Sequence, residues 1–214
     1  MTRNANTSPS PEVAGYVLAG GGSTRFGRDK ALVELGSLPM LARMIALLQS
    51  VTARVKIIGV REEYAQFGVE SVADGWPGEG PLGGIITALK DAAEVSANSK
   101  WNLILSCDMP FLTPDWLLLL AERAEKSTAQ VVLPHSRSGP EPLCACYRTR
   151  AADTLLPAFE SGVRKITEAL KHVRTEVLDE ADWKRFDSAG RLFWNMNTAA
   201  DYDEVRRILE AERT

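Results

Sequence analysis

Residues 18–30 read Leu18-Ala19-Gly20-Gly21-Gly22-Ser23-Thr24-Arg25-Phe26-Gly27-Arg28-Asp29-Lys30. They follow a short apolar run, residues 14–18, that reads as a buried strand. Three successive glycines let the backbone take positive φ and come close to a ligand. Their amide N–H groups can line a concavity that holds an anion. Arg25 brings a planar, forked cation and Lys30 a mobile one, and both suit phosphate oxygens. Spacing excludes two familiar phosphate loops. A P-loop needs GxxxxGK[ST], but Gly22 and Gly27 are followed by Arg28 and Asp29; a dinucleotide fingerprint needs GxGxxG, and Arg25 stands where its last glycine would fall. A surface loop with solvated charges is the competing reading of the glycines alone.

Outward from this loop, short apolar runs alternate with helix-period stretches. Strands are expected over residues 14–18, 55–60, 69–73, 101–106, 130–133, 143–147 and 192–196, and helices over 39–51, 82–93, 113–126, 162–173 and 200–212. The third helix carries its own start signals, with Thr113 as N-cap, Pro114 at the first helical position and Asp115 in the first turn. Strand–helix alternation implies an α/β fold with a mostly parallel sheet covered on both faces, with an added antiparallel element after residue 130. In such sheets ligands bind at the carboxyl ends of the strands, so the residues just past each strand are the candidates for chemistry.

Composition narrows the function classes. The 214 residues are 45% hydrophobic and 25% charged with a net charge of −3, which gives no basic footprint for nucleic acid. A single domain over residues 13–214 is expected, preceded by a disordered leader at residues 1–12 that lacks the apolar run of a signal peptide. No segment approaches the ~20 apolar residues of a membrane span, and a cytoplasmic location is expected. Cys107, Cys144 and Cys146 form no CxxC pair, and His135 and His172 complete no zinc spacing. On a strand Cys144 and Cys146 share a face, as core or pocket-wall residues.

Three further segments offer polar groups where a ligand would lie. Asp108 follows the strand at 101–106 in Cys107-Asp108-Met109-Pro110-Phe111-Leu112, well placed to hold a hard cation. Mg²⁺ commonly takes only one or two protein carboxylates beside substrate phosphates, so Asp108 alone suffices on the protein side. Asp74 precedes Gly80-Pro81-Leu82-Gly83-Gly84, which would start a helix close to a ligand. Asn195 and Asn197, two apart on an expected strand, project from one face toward a polar acceptor. Turn and capping roles are the plain alternatives for all three. Arg164 and Lys165 could meet an acceptor phosphate, although a solvated helix face is the commoner meaning of such charges.

The loop LAGGGSTRFGRDKAL resembles the signature of the nucleotidyltransferases that include the molybdenum cofactor guanylyltransferases, a pattern close to LAGGxSxRMG followed by DKAL, with Phe26 for the usual Met. CDMPFL resembles the family's metal-binding segment. Asp74 before Gly-Pro-Leu-x-Gly matches its second nucleotide-contacting Asp, and Asn195-Met196-Asn197-Thr198 with Asp201 is similar to its NxNTPxD signature, Ala199 replacing the proline. The resemblance spans residues 14–210. It implies a three-layer Rossmann-like nucleotidyltransferase fold, with Leu18, Ala19, Gly20, Gly21, Gly22, Lys30, Asp74 and Asp108 on the nucleotide. It further implies Arg25, Lys30 and Asp108 in catalysis, Mg²⁺ on Asp108, and Asn195 and Asn197 toward the acceptor. GTP is the implied nucleotide, because relatives that use CTP typically carry Ala-Ala-Gly where this chain has Ala19-Gly20-Gly21. The implied acceptor is molybdenum-bound molybdopterin, with other proteins of molybdenum cofactor biosynthesis as possible partners. One departure stands out: Ile57-Ile58-Gly59-Val60-Arg61 lacks the Asn that family members often place in the second strand. A cytidylyltransferase, a sugar-phosphate nucleotidyltransferase and a non-catalytic nucleotide-binding protein are the alternatives. Gly20 speaks against the first, and the intact Lys30 and Asp108 speak against the last.

Overall fold

The computed structural model describes residues 10–20, 29–95 and 100–212. Its sheet is built from β1 (Ser10–Leu18), β2 (Thr52–Ile58), β3 (Ser71–Val72), β4 (Trp101–Ser106), β5 (Val131–Ser136), β6 (Cys144–Arg148) and β7 (Thr175–Leu178). Their spatial order is β7-β5-β6-β4-β1-β2-β3, and the short strand Gly139–Pro140 pairs with β5. β1 runs parallel to β2 and β4, β2 to β3, and β5 to β7. β6 alone among these seven runs antiparallel to its neighbours β4 and β5. The mostly parallel sheet and the antiparallel element after residue 130 are thus both present.

Helices α1 (Met40–Gln49), α2 (Pro81–Val95), α3 (Pro114–Lys126), α4 (Ala152–Glu160) and α5 (Ala199–Ala211) cover the sheet. Two apolar cores result. One gathers α1, α3 and Val205 of α5 on one face, and the other gathers α2 and α4 on the opposite face. The central strands feed both, as a sheet covered on both sides requires. Val13 and Val17 of β1 join the first core, while Ala14, Tyr16 and Leu18 join the second. Cys144 and Cys146 lie together in the first core with free, fully buried thiols, so they are core residues and not pocket wall. Among the described residues no helix is long and apolar enough to cross a membrane.

Three expectations are corrected. Residues 192–196 form no strand; they lie in turn and extended loop, with Leu192, Phe193 and Met196 buried against the first core. The expected helix at 162–173 reduces to one turn at Ile166–Ala169 and a 3₁₀ turn at Leu170–His172, because Gly162 takes φ +104° and ends the preceding segment. That preceding segment is α4, which the sequence reading passed over, as it did β7. β1 begins at Ser10, inside the stretch read as a leader. Thr113 caps α3 by accepting the Trp116 amide, as its sequence indicates.

Candidate active site

Leu18 at the end of β1 is level with Ile58 of β2 and Ser106 of β4. The three strands therefore release Ala19-Gly20, Gly59 and Cys107-Asp108 at one rim of the sheet. There a cleft of about 190 Å³ is lined by, among others, Leu18, Ala19, Gly20, Lys30, Asp74 and Asp108. These six, chosen from four separate stretches of sequence, face one space. Gly21, Gly22 and Arg25 lie outside the described residues.

Lys30 opens a 3₁₀ turn, Lys30–Leu32, that Asp29 caps by accepting the Ala31 amide. Its Nζ donates to Asn197 Oδ1 at 2.9 Å and lies 4.0 Å from Asp108 Oδ2. Asp108 is held from two sides: Ser106 Oγ donates to Oδ1 at 2.5 Å, and the Met196 amide donates to the Asp108 carbonyl at 2.7 Å. The second bond explains how a segment remote in sequence reaches the cleft. The loop at 192–197 docks on the Asp108 backbone and delivers Asn197 to Lys30. Asn195 is not delivered with it; its amide donates to the Phe193 carbonyl, and it does not line the cleft. With no strand there, the two-residue spacing does not set a common face. Thr198 and Asp201 form a reciprocal capping box on α5, which compensates for the missing proline.

Asp108 presents the donor chemistry that Mg²⁺ accepts. One carboxylate oxygen is engaged by Ser106, the other faces Lys30 and the cleft, and the side chain is about one-fifth exposed, at 22%. Among the described residues no three His, Cys, Asp or Glu side chains gather into a self-sufficient metal cage. A water-rich ion completed by substrate phosphates fits one carboxylate of this kind. Cys107 is adjacent, but burial and then the Asp108 charge push its thiol well above the ordinary range. It is no thiolate nucleophile.

A wider cavity of about 570 Å³ adjoins the cleft and shares Ala19, Gly20 and Asp74 with it, extending to Gly59 and Arg61. Gly59 takes φ +118°, and a Cβ there would sit 3.0 Å from the Gly20 amide nitrogen. Close backbone approach explains why no side chain stands at that position. Gly59→Ala is accordingly expected to cost about 2 kcal/mol or more of stability, read as a lower urea midpoint at unchanged slope; an unshifted midpoint contradicts the strain. Gly20 differs. A Cβ there would meet Gly59 Cα and Ile58 O at 3.9 Å and Asp74 Oδ2 at 4.0 Å, ordinary contacts.

Asp74 is oriented by α2. Its Oδ1 accepts the Trp76 amide at 3.0 Å and lies 3.2 Å from Thr87 Oγ1, leaving Oδ2 toward Gly20. The GPLGG stretch does start a helix beside the cleft, and its glycines permit the approach. A Cβ at Gly83 would meet Trp76 Cβ at 3.0 Å, and one at Gly84 would meet Leu18 at 3.4 Å. Arg164 is engaged elsewhere: it pairs with Glu79 at 2.7 Å, lies over the Phe159 ring, and does not line the cleft. Sequence reading missed Tyr64, whose hydroxyl lies 2.9 Å from the Ala19 carbonyl and 2.7 Å from Asp29 Oδ2. It also missed Arg61, whose Nε lies 3.0 Å from the same carboxylate. No local motif marks either one; only the DK pair after the glycines hints that Asp29 needs partners.

Residues 15–175 match the MobA-like NTP transferase domain. The chain is 31% identical over 204 residues to the probable molybdenum cofactor guanylyltransferase of Pelotomaculum thermopropionicum, across 95% of this chain and 96% of that protein. It is 34% identical to the protein of the same name from Opitutus terrae, across 97% and 98% of the two chains. The fold superposes with a TM-score of 0.79 on molybdopterin-guanine dinucleotide biosynthesis protein A from Archaeoglobus fulgidus, at 26% identity and covering 92% of this chain and 99% of that one.

Proposed function

The chain belongs to the MobA-like NTP transferase family and is therefore a nucleotidyltransferase, and we propose that it transfers GMP from GTP to the phosphate of molybdenum-bound molybdopterin. The observation that carries this reading is the convergence of Lys30, Asp108 and Asn197 at the rim where β1 and β4 end, beside a cavity large enough for a base. The names of the relatives support the guanylyl and molybdopterin parts.

In the proposed step an acceptor phosphate oxygen forms a bond to the α-phosphorus of GTP. The bond from that phosphorus to the bridging oxygen breaks, and pyrophosphate leaves with the electron pair. The acceptor is already an anion near neutral pH, so neither a side-chain nucleophile nor a general base is needed. Lys30 neutralises charge on the triphosphate as it shifts toward the leaving group, and Asn197 holds the ammonium in reach. Arg25 adds a second cation from the same loop. Asp108 would hold Mg²⁺, which supplies charge neutralisation on the phosphate oxygens. Ser106 keeps that carboxylate turned into the cleft.

Base choice rests on the cavity around Gly20. Buried polar groups that pair with a guanine edge are left unpaired by cytosine or adenine, which is costly. GTP is expected to be preferred over CTP by at least about tenfold in kcat/KM, roughly 1.4 kcal/mol. In Gly20→Ala the new methyl enters the space toward Asp74 without displacing backbone, and the preference is expected to shrink through loss of GTP affinity. Competition assays with the four triphosphates read the ratio, and melting each protein with ATP, CTP, GTP and UTP in Mg²⁺ reads the affinity. Saturation at ~100-fold over Kd adds about 2.7 kcal/mol of stability, visible as a raised Tm. A larger shift with CTP or ATP overturns the guanylyl reading and leaves the nucleotidyltransferase intact.

A further inference from the structure

The glycine loop leaves the sheet at Ala19 and returns at Asp29, and one buried side chain touches both ends. Tyr64 is 1% exposed. It stands in the 3₁₀ segment Glu62–Phe67, which Gly68 closes at φ +64°. Its hydroxyl lies 2.9 Å from the Ala19 carbonyl and 2.7 Å from Asp29 Oδ2. A phenol has one proton for these two acceptors and bridges them by sharing it. The loop's exit is further fixed by the Ala19 amide, which donates to Ile58 O of β2 at 3.0 Å. Its return is fixed through Asp29, whose other oxygen caps the turn that begins with Lys30. Arg61 pairs with the same Asp29 oxygen at 3.0 Å, and its half-exposed side chain lines the wider cavity. Asp29 therefore links the wider cavity, through Arg61, to the turn that carries Lys30.

From this we propose that Tyr64, with Asp29 and Arg61, is a positioning cluster that ties the turn carrying Lys30 to the end of β1 and so sets the reach of Lys30 toward the triphosphate. The proposal rests on the nucleotidyltransferase reading but not on the choice of base. Holding the turn that carries Lys30 in place in advance removes part of the ordering cost from ligand binding. Tyr64 also borders the wider cavity, but its hydroxyl is engaged by Asp29 and Ala19 and acts through them. Burial, reinforced by the Asp29 charge, pushes its phenol far above the ordinary range, so it remains a donor at any working pH.

Tyr64→Phe keeps the ring in the core and removes only the bridge. The test is calorimetric binding of inorganic tripolyphosphate and of GTP, each with Mg²⁺, to wild type, Tyr64→Phe, Asp29→Asn and the double variant. Tripolyphosphate reports on the reach of Lys30 without a base, so a wrong assignment of the base leaves this arm intact. Each single variant is expected to bind both ligands about tenfold more weakly or worse, the loss typical of a charge-assisted hydrogen bond. The double variant is expected to be within about twofold of the worse single, because coupled residues are not additive. Unchanged tripolyphosphate binding in Tyr64→Phe overturns the proposal and leaves the tyrosine a satisfied core residue. Full additivity overturns the bridge between the two ends.

Discussion

Asp108→Ala is expected to reduce transfer by at least about a thousandfold while the protein still melts close to wild type. The two halves of this result have separate causes. Activity fails because the cleft loses its one carboxylate at the end of β4, and with it the site proposed for Mg²⁺. Charge stabilisation by a single preorganised donor is commonly worth about 10²–10³ in rate, and a bound metal supplies several kcal/mol. Stability changes little because the side chain is partly exposed and its one described hydrogen bond is to Ser106, a net contribution of about 1 kcal/mol. The bond that docks the 192–197 loop uses the Asp108 carbonyl, which alanine retains. Asp108→Asn separates charge from hydrogen bonding. It can still accept from Ser106 but carries no charge, and it is expected to fail nearly as badly. Pyrophosphate release from GTP with acceptor and Mg²⁺, beside a thermal melt, measures both; near-normal turnover in either variant contradicts the assignment.

Lys30→Ala is expected to lower kcat/KM for the nucleotide by tenfold to a hundredfold. Its ammonium is placed by Asn197 at 2.9 Å and lies at the edge of ion-pair range of Asp108, at 4.0 Å. Losing a charge-assisted contact to phosphate costs about 1.5–3 kcal/mol, which gives that range. Lys30→Met keeps the apolar stem and removes the charge, so an equal loss in both variants assigns the effect to charge. Asn197→Ala frees the ammonium without removing it, and a smaller loss is expected there. Steady-state kinetics across a GTP series decides the matter. Unchanged kinetics in Lys30→Ala means that this residue does not meet the triphosphate.

How much of this was legible before folding depends on how local each signal is. β4 was read with its observed limits because Trp101, Leu103, Ile104 and Leu105 make a dense apolar run, and all six of its residues are buried as a central strand requires. α3 was legible from Thr113, Pro114 and Asp115 alone. Residues 192–196 misled because the large apolar Leu192, Phe193 and Met196 fall within five residues, a density that reads as a strand. They are buried instead by a turn, in which the Trp194 amide bonds Arg191, and by docking on Asp108. α4 carries Pro157 in its interior, which counts against a helix in any local reading, and the packing of Leu155 and Phe159 outweighs it. β7 is a four-residue edge strand with one buried side chain, too short for a periodic signal. At the cleft, the residues that stand within motifs were legible: Leu18, Ala19, Gly20, Lys30, Asp74 and Asp108, and Asn197, which reaches Lys30 beside it. The residues that orient them were not. Tyr64 lies 45 positions from Ala19, and Thr87 lies 13 from Asp74; such pairs arise only when β1, β2 and α2 assemble.

Movement of GMP from GTP onto a molybdopterin phosphate can be followed directly by incubating the purified protein with Mg²⁺, molybdenum-bound molybdopterin and GTP labelled at the α-phosphorus. CTP and ATP labelled alike run in parallel, and the released cofactor is analysed by chromatography and mass. Label is expected in a guanine dinucleotide form of the pterin, with one pyrophosphate released per label transferred and at most about a tenth of that rate with CTP or ATP. Label carried into a cytosine or adenine dinucleotide at an equal or higher rate, or no label on the pterin with any of the three, would contradict the proposed transfer.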